Sequence, residues 1–158
     1  MNWSDSVRQV IEHLRADGAS SEVRVFEESV PTAVAAASLL GCEVSAIVNS
    51  LVFTQDEDMP LLILASGARR VDTAYVAEQI GAARVSRATR EFVLEHTGQS
   101  PGGVAPVGHP HPIRTLLDEE LLGHETVWAG GGDEYTMFAT TAAELARLTD
   151  AKVTGVRP

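Results

Sequence analysis

The sequence predicts an α+β fold. Three observations carry that expectation. Helix-spaced apolar positions and strand-like apolar runs are mixed without strict alternation, which disfavours a doubly wound parallel sheet. Two of the strand-like runs face each other across a short polar turn. No internal repeat, low-complexity segment or linker divides the chain, and 158 residues suit one domain spanning 1–158.

Val7, Val10, Ile11 and Leu14 recur at helical spacing after Ser4, and Gly18 closes the run. The first element is therefore an amphipathic helix with a serine cap and a glycine stop. Val23 and Val25 alternate as a strand. Thr32 follows Pro31 and opens a short alanine-rich helix that Gly41 ends. Residues 47–54 and 60–65 are strands joined by the polar turn 55–58. Both are nearly continuous in apolar residues, which predicts burial on both faces. Asp72 starts a helix that stops at Gly81, and Thr89 starts another that stops near Gly98. A strand-to-helix passage runs through 115–122, and strands at 126–129 and 135–140 flank Gly130, Gly131 and Gly132. Thr141 opens a last helix through Leu148, and 152–156 form a closing strand.

Hydrophobic residues make up 44% of the chain, enough for a substantial core. The single cysteine, Cys42, forbids an internal disulfide and suits a reducing compartment. The opening Met-Asn-Trp-Ser-Asp lacks the basic and apolar regions of a secretory leader, and no apolar run approaches the ~20 residues of a membrane span. The expectation is a cytoplasmic protein with no membrane partner.

A net charge of −10 argues against broad binding along a nucleic-acid backbone, though not against contact with one end of an RNA. The basic residues are nearly all arginine. Arg69, Arg70, Arg84, Arg87 and Arg90 crowd into one stretch, where Asp72 and Glu78 are the only acids. This stretch is either a solvated face or a phosphate-facing patch.

Residues 97–111 hold four glycines, three prolines and almost no charge. Such a run cannot form a helix and makes a poor strand. It is either a structural turn or a stiff loop that brings main-chain groups close to a ligand. No common cofactor fingerprint accompanies it: there is no phosphate-binding loop, no dinucleotide turn and no serine nucleophile elbow. His109 and His111 lack the further ligands a metal needs, and Cys42 reads as a small core residue. Neither a cofactor nor a metal is expected. Asn49 and Ser50 interrupt one apolar strand, and Ser66 with Gly67 ends the next. A buried polar side chain without a partner costs ~1–3 kcal/mol, so these residues either bond internally or form the polar floor of a pocket.

The chain resembles the YbaK/EbsC family of aminoacyl-tRNA deacylases, related to the editing domain inserted in bacterial prolyl-tRNA synthetase. The matching segments are Thr32 with its alanine-rich helix, 47–53, 64–67, 70–72, Thr97-Gly98, 102–109, Asp118 and 127–131, in the family's order. The resemblance implies a compact domain with a mixed, partly barrel-like β-sheet flanked by helices. It implies hydrolysis, in trans, of the ester joining a wrong amino acid to the acceptor end of tRNA(Pro) or a related tRNA. The loop of Gly102, Gly103, Val104, Ala105 and Pro106 would position ester and water through its main chain, assisted by a vicinal ribose hydroxyl. Thr32, Asn49, Ser50, Ser66, Gly67, Arg70, Gly108, His109, Gly130 and Gly131 would bind substrate. A monomer is the default for a small trans-acting protein. Many family members carry a lysine where this sequence has Asn49, and some have a tyrosine near Phe26.

Overall fold

The computed structural model describes residues 3–158, so Met1 and Asn2, which begin the stretch read for a leader, lie outside the described residues. Helix α1 (Asp5–Ala16) starts where the Ser4 hydroxyl accepts from Val7 N–H, and it buries Val7, Val10 and Leu14. Strand β1 (Val23–Val25) follows. Helix α2 (Ala33–Leu40) is capped by Thr32 and ends at Gly41 in the left-handed region. Strands β2 (Val48–Gln55) and β3 (Met59–Ser66) form the expected hairpin. Helix α3 (Thr73–Ile80), strand β4 (Val85–Arg87) and helix α4 (Arg90–Thr97) lead into the glycine-rich loop. Beyond it come β5 (Arg114–Asp118), a 3-10 segment (Glu119–Gly123), β6 (Val127–Gly130), β7 (Thr136–Thr140), α5 (Ala142–Thr149) and β8 (Lys152–Thr154).

The strands make two sheets. A five-stranded sheet has the order β4-β2-β3-β5-β8, with β3, β5 and β8 parallel and the rest antiparallel. A three-stranded antiparallel sheet has the order β1-β7-β6. An isolated parallel bridge between Ile47 and Trp128 joins them, so the expected barrel-like sheet is two sheets that meet along one seam. The main core lies between them and includes Leu62, Leu64, Leu117, Val127 and Phe138. A second cluster under α3 contains Phe53, Ile63 and Val76, and a third under α2 contains Phe26 and Ile47.

Three expectations need correction. Strand β3 is buried on both faces, but most of β2 is only half-buried. The reason is that β4, absent from the sequence reading, pairs with only residues 53–55 of β2 and leaves the rest beside open grooves. The glycine-rich loop is not wholly irregular, since Pro101–Gly103 form a 3-10 turn with proline at its start. The closing strand ends at Thr154.

Candidate active site

The seam between the sheets opens into a cleft of about 600 Å³. Each wall comes from a different element. Thr32 and Ala33 stand at the start of α2, Asn49, Ser50 and Leu51 lie on β2, and Gly130 ends β6. Pro101, Gly102 and Val104 bring in the glycine-rich loop, and Arg70 and Arg87 stand at the rim. The structure thus gathers Gly102, Val104, Thr32, Asn49, Ser50, Arg70 and Gly130 around one space.

The loop reaches this place because glycine lets main chains touch. A Cβ on Gly103 would sit 2.4 Å from the Asp133 main chain, and a Cβ on Gly130 would sit 2.8 Å from the Val104 carbonyl oxygen. Both approaches would be impossible for a larger residue without a shift of backbone. Gly102 differs: its nearest obstacle would be a Glu134 carboxylate oxygen at 3.6 Å, and it is exposed at the lip of the cleft.

Internal hydrogen bonds stiffen the loop. Gly103 N–H donates to Ser100 O at 3.0 Å. The buried Gln99 amide accepts from Ala105 N–H at 2.7 Å and donates to Val107 O at 3.1 Å. Thr97 Oγ1 accepts from Gln99 N–H at 3.0 Å and donates to Val93 O at 2.7 Å, tying the loop to α4. His109 Nε2 lies 2.8 Å from Ala105 O; a carbonyl only accepts, so this nitrogen carries the hydrogen. Burial holds the His109 ring below the ordinary imidazole range and keeps it neutral. The Gly102 amide has no hydrogen-bond partner among the described residues.

Not every candidate residue faces the cleft. Ala105 is fully buried, and Pro106, Gly108 and His109 line a separate 230 Å³ cavity beside His13 and His111. Ser66 is fully buried, its hydroxyl donating to Ser45 O at 2.9 Å and its N–H to Asp118 at 3.0 Å. Gly67 packs against Ala33, and Gly131 packs against the Thr136 side chain within the β6–β7 turn. These positions support the cleft from behind.

Along β2 side chains alternate. Val48, Ser50 and Val52 turn toward the main core, where the Ser50 hydroxyl is buried without a hydrogen-bond partner among the described residues. Asn49, Leu51 and Phe53 share the other face, which opens onto an adjoining groove of about 710 Å³. Arg69, Arg70, Arg84 and Arg87 line that groove.

The sequence reading did not place Gln99 or Asp133 in the site, and it named Arg87 only as one of five clustered arginines that form a solvated face or a phosphate-facing patch. Gln99 carries no local signal, because Thr97 and Ser100 beside it are polar as well. Asp133 lines the cleft, accepting from Tyr135 N–H and Thr136 Oγ1 at 2.9 Å, and it follows the triple glycine directly. Arg87 sits on β4, a strand too short to show a period. Burial pushes the Cys42 thiol up, which removes any tendency to a reactive thiolate. Among the described residues no group of three histidine, cysteine or acidic side chains stands close enough to hold a metal ion, and no helix is long and apolar enough to cross a membrane.

The model of the aminoacyl-tRNA editing domain matches residues 27–148. The YwhH protein of Bacillus subtilis (strain 168) is 31% identical over 148 residues, 94% of each chain. The proline–tRNA ligase of Limosilactobacillus fermentum is 30% identical over 103 residues, which are 63% of this chain and 18% of the ligase. A solved structure of a proposed trans-editing enzyme for prolyl tRNA synthetase superposes with a TM-score of 0.90 at 40% identity, covering 99% of both chains. The two-sheet α+β architecture is therefore that of an editing domain, and the chain belongs to the aminoacyl-tRNA editing domain family.

Proposed function

We propose that this protein acts in trans to hydrolyse the ester of a misacylated tRNA, within the cleft at the seam of the two sheets. The observation that carries this reading is the Gly102 amide, left without an internal partner at the lip of that cleft, in a chain of an editing family. Water attacks the ester carbonyl, the oxyanion that forms accepts from Gly102 N–H, and the carbon–oxygen bond to the terminal ribose breaks. One proton of the attacking water goes to the ribose oxygen, which leaves as a hydroxyl, and the other goes to solvent as the amino acid leaves as its carboxylate. Main-chain donors held in place before reaction can stabilise such a transition state by several kcal/mol. Gln99, Thr97 and the neutral His109 hold the loop so that little reorganisation is needed.

Thr32, Asn49, Ser50, Arg70 and Gly130 would surround the aminoacyl-ribose end. The unpartnered Ser50 hydroxyl is a donor for the amino-acid moiety. Ser66, Gly67, Gly108, His109 and Gly131 would act as supports rather than contacts, as would Gly103, Ala105 and Pro106 within the loop. Such a protein works beside translation in the cytoplasm and needs no metal or organic cofactor for this chemistry.

The test is a deacylation screen across alanyl-, cysteinyl-, seryl- and threonyl-tRNA. Loss of ester from at least one is expected. No turnover of any of them with enzyme equimolar to substrate would sink the reading. A second reading, a module that binds aminoacyl-tRNA without cleaving it, draws on one residue: Asn49, at the position where the family resemblance implies a lysine. Activity that appears only in Asn49→Lys would establish that second reading.

A further inference from the structure

Ester hydrolysis in the cleft leaves the adjoining arginine groove unused. Its composition is unusual for this chain. The protein carries a net charge of −10, yet four of its arginines line one groove, and no aspartate or glutamate lines it with them. Arg69 is neutralised by Glu120 at 2.5 Å. Arg70, Arg84 and Arg87 are exposed and make no ion pair among the described residues. Three unpaired guanidinium groups in one concavity repel each other, and an anion removes that repulsion.

The groove also has direction. It shares Asn49, Leu51, Arg70 and Arg87 with the cleft, so the two form one continuous path. The pairing of Phe53 with Arg87 across β2 and β4 sets that guanidinium on the face that presents Leu51 and Phe53. An apolar floor of half-buried Leu51, backed by the buried Phe53 and edged by arginines, suits a strand whose phosphates meet the guanidinium groups while a base lies over Leu51. A free phosphate or an acidic side chain would use the charges but not the floor.

The geometry points to a track for single-stranded RNA: the groove receives the phosphodiester backbone of the unpaired 3′ end whose terminal ester enters the cleft. This rests on the hydrolytic reading above. Arg84, which lines the groove but not the cleft, would hold a phosphate several nucleotides back from the reacting bond.

The experiment measures binding without chemistry. A fluorescent single-stranded RNA ending in CCA and carrying no amino acid is titrated with the parent protein, Arg84→Ala, Arg84→Ala/Arg87→Ala, and Arg15→Ala as a control on α1. Salt is varied in each series. The double variant is expected to bind at least tenfold more weakly, with the slope of log affinity against log salt reduced by about 1.4, from ~0.7 per phosphate contact in single strands. Arg15→Ala should match the parent. Equal affinity and slope for parent and double variant would overturn the proposal. So would an equal loss of binding to a poly-glutamate peptide, which marks a patch for any anion, including an acidic protein. The outcomes separate the two proposals. RNA binding that depends on Arg84 and Arg87, without deacylation, sinks the hydrolytic reading alone. Deacylation with RNA binding indifferent to both arginines sinks the track alone.

Discussion

The side chain of Gln99 holds the main chain of Ala105. Its Oε1 accepts from Ala105 N–H at 2.7 Å, while its Nε2 donates to Val107 O at 3.1 Å. One buried amide thus spans the loop that reaches the cleft. Gln99→Leu would leave a buried donor and a buried acceptor unpaired, at ~1–3 kcal/mol each. Chemical denaturation should show a loss in that range, with deacylation falling further than stability alone explains. Gln99→Glu keeps the acceptor for Ala105 but turns an oxygen toward the Val107 carbonyl, and should be at least as harmful. A loss below ~0.5 kcal/mol in both variants would remove Gln99 as the staple of the loop.

Gly102 and Gly103 should separate stability from activity. A methyl group at Gly103 meets the Asp133 main chain at 2.4 Å, so Gly103→Ala must shift backbone and lower the melting temperature. A methyl group at Gly102 has room, with Glu134 at 3.6 Å. Gly102→Val keeps the main-chain N–H but sets an isopropyl group where the ester would approach it, so it should melt close to the parent and lose turnover on the order of 10²-fold, the scale of misplacing a substrate by about 1 Å. Full activity in Gly102→Val would show that the lip of the loop is not where the ester sits.

His109 sets a pH dependence. Burial lowers its affinity for a proton, the His13 charge adds to this, and the bond to Ala105 O opposes it. Between the lowered native value and the unfolded value of about 6.5, the unfolded chain binds the proton and the native chain does not. The stability this group contributes is therefore complete above about pH 6.5 and declines as pH falls below it. His109→Gln keeps a donor near Ala105 but cannot titrate. Its melting temperature should fall less than the parent's between about pH 7.5 and about pH 5.5. Equal falls would show that the ring is not responsible.

Arg157 ties the last residues to the groove. Its guanidinium pairs with the fully buried Asp118 at 3.0 Å and with Glu120 at 2.8 Å, and it donates to the carbonyls of Arg70 and Arg69 at 2.9 and 3.3 Å. Asp118 in turn accepts from Ser66 N–H. Arg157→Met strands a buried carboxylate and should cost ~3–5 kcal/mol by denaturant titration. Arg157→Lys, which keeps the charge without the planar fork, should fall between the two. A Met variant as stable as the parent would mean that water already serves Asp118.

Local signals carried most of the fold. Ser4, Thr32, Asp72, Thr89 and Thr141 each cap the helix expected of them, because an N-cap depends only on a side chain and a backbone amide three residues on. The β2–β3 hairpin was legible for the same reason. Strand β4 was not, since three residues show no period and pair only because β2 offers an edge.

Residue order and spacing were enough for the α+β class, the order of nearly all elements, the presence of a glycine- and proline-rich loop, and the family. These follow from neighbours along the chain and from motifs that keep their order. Tertiary structure alone decided which of the candidate residues share a space. It turned Ser50 and Asn49 to opposite faces of one strand, sent His109 behind the loop and Gly102 to its lip, and gathered arginines from two elements beside the cleft. Convergence of this kind depends on sheet register and on contacts between residues distant in the chain, and neither leaves a local trace.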